Sequence, residues 1–310
     1  MRAIVNTPGG PSRVEQRDVP EPVPDSDEVL VTVEAFSLNR GELALLAARP
    51  QGWQPGQDVA GTVLVPAADG SGPPTGARVA ALVDGAGWAE RVAVPVRRLA
   101  VLPGPVDIAA AATLGVAGRT ALRTVALGGS LLGRRVLVTA AAGGVGRFQV
   151  QLAAAAGAEV VAVSRRTRTA TALLDLGAAD VVERTADAEG LFDLVLDGVG
   201  GRQLTQAVDK VAADGAVVLI GASDPEPAPL NLLDFTGHEN ATITSYFSYA
   251  QPDTVSTDLA TLVGLIARGQ LKPHLGLHEP WTSTDSALET LAAGHVDGKA
   301  VLDVPHPNST

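Results

Sequence analysis

Two hydrophobic patterns divide the chain. Up to about residue 105 the apolar runs are short and β-like, cut by Pro and Gly: Arg2 to Val5, Glu28 to Ala35, Val59 to Val65, Arg78 to Leu82 and Trp88 to Val94. This spacing predicts a small β-rich unit. From about Arg134 the runs are longer and β-branched, namely Arg135 to Thr139, Val160 to Val163, Val181 to Val182, Phe192 to Asp197 and Ala216 to Ile220, and Ala-rich helical stretches separate them. Apolar residues at consecutive positions imply strands covered on both faces, and strand–helix alternation implies a parallel, doubly wound α/β sheet. Near the C-terminus Leu259, Leu262, Val263 and Ile266 recur at helical spacing before Gly269. Thr282 and Asp285 predict a capping box for a last helix carrying Leu288 and Leu291, and Lys299 to Val304 is expected to add a strand.

Composition narrows the function classes. The 310 residues carry 34 acidic against 23 basic side chains, a net charge of −11, so the clustered Lys and Arg that drive binding to nucleic acid or anionic membranes are missing. With no cysteine, disulfides, thiol nucleophiles and cysteine-ligated metal centres are excluded. Arg2 to Val5 ends in a turn at Pro8, Gly9 and Gly10 without the apolar core of a signal peptide. The apolar stretch Ile108 to Ala117 is far shorter than the roughly 20 residues that span a bilayer. A cytoplasmic protein is expected, with no membrane and no nucleic-acid partner.

The most specific local signal is Arg135 to Gly157. A strand runs into Ala141-x-Gly143-x-x-Gly146, and the helix that follows places Val145, Phe148 and Leu152 on one face. Small residues there let backbone N–H groups approach a pyrophosphate at a helix N-terminus, where the helix dipole favours negative charge. This predicts a Rossmann-type dinucleotide-binding domain. After the next strand stand Ser164, Arg165, Arg166, Thr167 and Arg168, where NAD-binding proteins place an Asp or Glu on the ribose. Guanidiniums without a carboxylate suit a 2′-phosphate, so NADPH is the expected cofactor, with one of these Arg residues left as a solvated helix start.

With that loop in place the whole chain resembles the zinc-independent branch of the medium-chain dehydrogenase/reductase superfamily, the quinone oxidoreductases and enoyl reductases. The resemblance rests on Phe36 to Leu43, Gly56 to Val63, Gly87 to Val92, Leu114 to Leu122, the AAAGGVG loop, Leu176 to Val182, Phe192 to Gly201, Val217 to Gly221 and Gly294 to Leu302, in that order. It implies a GroES-like β-rich catalytic domain over 1–113 with 273–310, and a Rossmann domain over 114–272. The catalytic-zinc ligands of zinc-dependent relatives fall by motif position on Asn39, Gln57 and Val116, none of which is a usual zinc ligand. The histidines, His238, His274, His278, His295 and His306, lack ligand spacing and read as surface residues.

The resemblance also assigns roles. Thr120 and the Gly143, Gly144 and Val145 backbone would approach the nicotinamide and pyrophosphate. Ser164, Arg165 and Arg168 would hold the 2′-phosphate, while Val199, Gly221 and Ala222 would line the cofactor. Phe247 would hold the carboxamide edge and Lys299 would close over the ribose. Asn39 would be the polar catalytic residue beside the nicotinamide. Arg40 departs from the pattern, because many polyketide-type enoyl reductases carry a proposed proton-donor Tyr there. Tyr246 is then the rival donor, with Tyr249 a candidate substrate contact, both in the strand-like run ITSYFSYA from Ile243 to Ala250, and relatives join a homodimer along the Ala241 to Ser248 strand; both tyrosines also read as packing and interface aromatics. Trp53 reads either as an aromatic at the substrate mouth or as a cap on the small core.

These features imply an NADPH-dependent reductase that passes hydride to a quinone or to the β-carbon of an enone or enoyl group. The alternative is a non-catalytic NADPH-binding sensor or structural protein on the same fold.

Overall fold

The computed structural model describes residues 1–10 and 12–305, so His306 lies outside the described residues. The chain divides into two compact units, Met1–Arg119 with Gln251–Thr310, and Thr120–Ala250.

The first unit opens with β1 (Arg2–Asn6), β2 (Val14–Asp18), β3 (Glu28–Leu38), α1 (Arg40–Ala48), β4 (Asp58–Val65), β5 (Arg78–Leu82), β6 (Arg91–Pro95), β7 (Leu99–Val101) and α2 (Ile108–Ala111). A π-helical turn at Leu114–Gly118 leads into α3 (Arg119–Ala126). The second unit then runs through β8 (Arg135–Val138), α4 (Gly144–Ala155), β9 (Glu159–Val163), α5 (Ala170–Asp175), β10 (Asp180–Val182), β11 (Phe192–Asp197), α6 (Gly201–Val208), β12 (Val211–Leu219) and β13 (Thr242–Ser245). The chain returns to the first unit with α7 (Val255–Ala267), β14 (Leu275–Pro280), α8 (Thr284–Ala292) and β15 (Lys299–Asp303).

In the first unit a seven-stranded sheet has the order β14-β15-β3-β4-β5-β7, with β6 also on β3. β3 shows why. Its first half buries alternate residues, Val29, Val31 and Val33, as expected of a strand with one wet face, while Phe36, Ser37 and Leu38 are all buried where β4 and β15 flank it. Phe36 stacks on Trp88 with ring centroids 5.6 Å apart. α7 buries Val255, Leu259, Leu262 and Val263 and packs beside β5 and β7. It therefore goes with the first unit, and the second unit is narrower than the 114–272 span read from the sequence.

The second unit's sheet is wholly parallel in the order β10-β9-β8-β11-β12-β13. Along these strands successive apolar residues enter opposite cores. Val136, Val138, Val160, Leu194 and Leu196 pack with Val150 and Ala153 of α4, while Leu137, Val161, Val163 and Val195 pack with Leu204 and Val208 of α6. Continuous apolar runs are thus the imprint of a sheet covered twice.

Several local expectations change. α8 begins at Thr284 after Ser283 rather than at a Thr282 box; Asp285 instead accepts the Arg13 backbone N–H at 2.8 Å. α4 buries Gly146, Phe148, Val150 and Ala153 but leaves Val145 half-exposed, so its burial is wider than a single Val145–Phe148–Leu152 face. β13 stops at Ser245, so Tyr246 and Tyr249 lie beyond it, Tyr249 in a single 3-10 turn at Ser248–Ala250.

Candidate active site

Most of the expected cofactor residues lie at the carboxyl ends of the second unit's parallel strands. β8 leads through Ala140, at φ 49°, into α4, whose N-cap is Gly143 with no side chain capping it, so the first N–H groups at Gly144 and Val145 are left for a ligand. Gly146 allows α4 to seat against the loop, because a Cβ there would lie 2.6 Å from the Ala140 carbonyl oxygen and 2.7 Å from Ala141 Cα. At the end of β9, Ser164 is buried against the Thr169 hydroxyl, 2.8 Å away, while Arg165 and Arg168 are exposed. No carboxylate stands between Ser164 and Thr169. These groups fit a phosphorylated dinucleotide: unpaired helix N–H groups for the pyrophosphate, and guanidiniums for an additional phosphate.

The neighbouring strand ends are pinned by a carboxylate. Asp197 is fully buried at the end of β11 and accepts from the Thr139 hydroxyl at 2.7 Å, Val199 N at 3.1 Å and Gly200 N at 3.0 Å. Burial pushes its carboxyl above the ordinary range against those three donors. The Asp197 carbonyl oxygen in turn accepts from Ile220 N at 2.8 Å, which holds Gly221 and the exposed Ala222 beside Val199. Thr120 is buried in α3, and its carbonyl accepts the Thr124 hydroxyl at 2.8 Å.

The aromatic candidates stand in different surroundings. Tyr246 is half-buried against the core that contains Val138 and Val218. Phe247 and Tyr249 are 54% and 69% exposed and pack on each other with centroids 5.4 Å apart. Trp53 lies on the first unit's core, with the Arg49 guanidinium 5.7 Å from its ring.

The first unit holds a buried polar cluster around Asn39, Asp58 and Lys299. Lys299, expected to close over the ribose, is 3% exposed and donates to Asn39 Oδ1 at 2.6 Å and to the Leu38 carbonyl at 3.0 Å, with Asp58 Oδ2 3.4 Å away. Asp58, fully buried, also accepts from the Ser37 hydroxyl at 2.8 Å, Asn39 Nδ2 at 2.9 Å and Val116 N at 2.7 Å. Gly115 makes that last contact possible, since a Cβ there would sit 2.3 Å from Asp58 Oδ1.

Glu42, in the first turn of α1, accepts Asn39 N at 2.8 Å and Gln57 N at 3.0 Å. Its burial, together with the Asp58 carboxylate, pushes it up to about 8. Arg40 turns away and donates to the Leu291 carbonyl of α8 at 3.2 Å. Asn39, Gln57 and Val116, the positions that the resemblance matches to zinc ligands, are therefore each bonded to Asp58 or Glu42, Asn39 through both its side chain and its backbone N–H and the other two through backbone N–H groups. Among the described residues no group of three or more His, Cys, Asp or Glu is placed to hold a metal ion. No helix among them is long and apolar enough to cross a membrane.

Asp58 and Glu42 stand inside the quoted motifs, yet nothing in those motifs points to them. Strand pairing unites the cluster: β15 runs antiparallel to β3 with Ala300 opposite Leu38, and β3 pairs β4 with Ser37 opposite Asp58.

Comparison with known proteins agrees with this architecture. Residues 144–267 match the zinc-binding dehydrogenase family. The chain is 29% identical over 322 residues to a chloroplast envelope quinone oxidoreductase homolog of Arabidopsis thaliana, with 95% of each covered. It is also 29% identical over 328 residues to a mycocerosic acid synthase-like polyketide synthase of Mycobacterium tuberculosis, matching 99% of this chain but spanning only 15% of that protein. A mycobacterial protein solved in complex with NADPH superposes with a TM-score of 0.87 at 25% identity, covering 98% of this chain and 100% of that one. The motifs, the doubly wound sheet, the β-rich unit and these relatives together support the medium-chain dehydrogenase/reductase superfamily, in its quinone oxidoreductase branch.

Proposed function

We propose that this chain is an NADPH-dependent oxidoreductase that reduces a quinone, or the carbon–carbon double bond of a conjugated carbonyl, without zinc. One observation carries the reading: the uncapped α4 N-terminus at Gly143 follows β8, the exposed Arg165 and Arg168 follow β9, the strand paired to β8, and no carboxylate stands beside Ser164. The first feature suits a pyrophosphate and the second a 2′-phosphate in place of a free ribose hydroxyl. The relatives named for quinone reduction, and the one solved with NADPH, support the same assignment.

Bound NADPH supplies the hydride. The chain's own task is to hold the nicotinamide and to stabilise the negative charge that develops on the acceptor oxygen. Asn39 is the residue we assign to that oxygen. Its Nδ2 gives one N–H to Asp58, and the other has no partner among the described residues. Single donors of this kind are worth about a hundredfold or more in turnover, so Asn39→Ala should lower kcat by that order. Tyr246→Phe tests the rival donor; if both variants keep wild-type turnover, protonation comes from solvent. The same cluster supports the zinc-free reading, because the Lys299 ammonium already sits on Asn39 Oδ1 and would repel a cation there. A cytoplasmic homodimer completes the proposal, joined along β13, an exposed edge strand paired on one side to β12.

The deciding experiment is oxidation of NADPH by a panel of quinones and enones. Turnover with one acceptor class supports the reading. NADPH binding without turnover of any acceptor returns the alternative, a non-catalytic sensor or structural protein on this fold.

A further inference from the structure

We infer that Lys299 is a positioning residue for Asn39, which together with Asp58 locks the Asn39 amide in one orientation and polarises the N–H it leaves free. The inference deepens the proposed function and rests on Asn39 acting as the donor to the acceptor oxygen.

An asparagine amide has an acceptor end and a donor end of nearly equal shape, so its partners decide which way round it sits. Asn39 has an unambiguous pair. The Lys299 ammonium, a donor only, is 2.6 Å from one end, and the Asp58 carboxylate is 2.9 Å from the other. Rotated by half a turn, the amide would set N–H against ammonium and C=O against carboxylate, so that both contacts become repulsive. Each end is held firmly. Lys299 is also bonded to the Leu38 carbonyl, and Asp58 to Ser37 and to Val116 N, and all of these groups except Val116 are buried.

The consequence is directional. A cation on Oδ1 withdraws electron density from the amide and makes its N–H groups better donors, and in a buried site such chains of hydrogen bonds strengthen one another. One of the two Nδ2 hydrogens is taken by Asp58, which leaves a single polarised N–H with a fixed direction. This also explains why a lysine in the C-terminal strand is buried where the sequence suggested a residue reaching for the cofactor.

Removing Lys299 alone would leave Asp58 without its cation, so the test uses the charge-balanced pair Lys299→Met with Asp58→Asn. We expect this double variant to bind NADPH with unchanged affinity by fluorescence titration and to keep its KM for NADPH. Its kcat should fall by about tenfold, the scale of losing charge assistance on one donor. In an Asn39→Ala background the same pair should cost nothing further. A weaker NADPH affinity in the double variant, or a kcat loss that persists without Asn39, overturns the inference. If the double variant does not fold, a crystal structure of the unmutated protein at about 1.2 Å or better still decides, because the Asn39 amide refined the opposite way round refutes the lock. That measurement stands even if no acceptor is turned over, the outcome that would refute the proposed function instead.

Discussion

Thr139 at the end of β8 donates its hydroxyl to the buried carboxylate of Asp197 at the end of β11, 2.7 Å away, and accepts Gly198 N at 2.9 Å. These two strands are neighbours at the point where the sheet order reverses, and in open α/β sheets ligands bind beyond the strand ends at that point. The Thr–Asp pair therefore shapes the floor on which the proposed cofactor contacts Val199, Gly221 and Ala222 stand.

Asp197→Ala should destabilise the protein by about 3 kcal/mol, since it strands a buried hydroxyl and two backbone N–H groups at about 1–3 kcal/mol for each left unsatisfied. Asp197→Asn, which keeps one acceptor oxygen, should cost less. Urea unfolding measures both, and a loss below about 1 kcal/mol for the alanine variant would show that the pair is incidental.

Arg165→Ala combined with Arg168→Ala should weaken NADPH by about tenfold or more and leave NADH nearly unchanged. One or two charge-assisted contacts of about 1.5 kcal/mol account for such a ratio. Titration calorimetry with both nucleotides checks it, and equal affinities in the wild-type protein would remove the basis for NADPH preference.

Purified protein should contain no stoichiometric zinc, and a chelator should leave its activity unchanged. Elemental analysis finding about one zinc per chain would overturn this expectation.

Glu42 sets a pH dependence with a definite sign. Its carboxyl titrates near 4.5 in an unfolded chain but is raised to about 8 in the folded one, so between those values the native state holds more protons. The stabilisation is complete below about 4.5 and is lost as pH rises through about 8. The raised Asp197 carboxyl acts in the same direction. Unfolding free energy should therefore fall between about pH 5 and pH 8.5, and Glu42→Gln should flatten that slope while losing one N–H acceptor at every pH. An unchanged slope in the variant would assign the effect elsewhere.

Light scattering should give about twice the 31.5 kDa chain mass at micromolar concentration. Ile243→Lys places a charge on the exposed β13 edge and should shift the protein toward monomer. A wild-type monomer would refute assembly along this strand.

The strands of the second unit are legible in the amino-acid sequence, although its bounds are not, since α7 goes with the first unit. Strands β8, β9 and β11 are legible because a doubly covered sheet demands apolar residues at every position, and the phosphate loop is legible because close approach of a helix N-terminus admits only small residues. The β-rich unit was legible in outline. β2 and β7 were missed because the first is mostly polar and the second is three residues long, and α1 was missed because its nine residues bury only Glu42 and Leu46. The surroundings of Asn39, by contrast, arise from long-range strand pairing. Residues 39, 58 and 299 become neighbours through two antiparallel registers, β15 on β3 and β3 on β4, and a register is set by which face of a strand must be buried, a property of the whole sheet rather than of any local motif. Lys299 moved from an expected cofactor contact to a buried partner of Asn39 for the same reason. A lysine's sequence neighbours specify the strand it stands on, and the strands on either side specify where its ammonium ends.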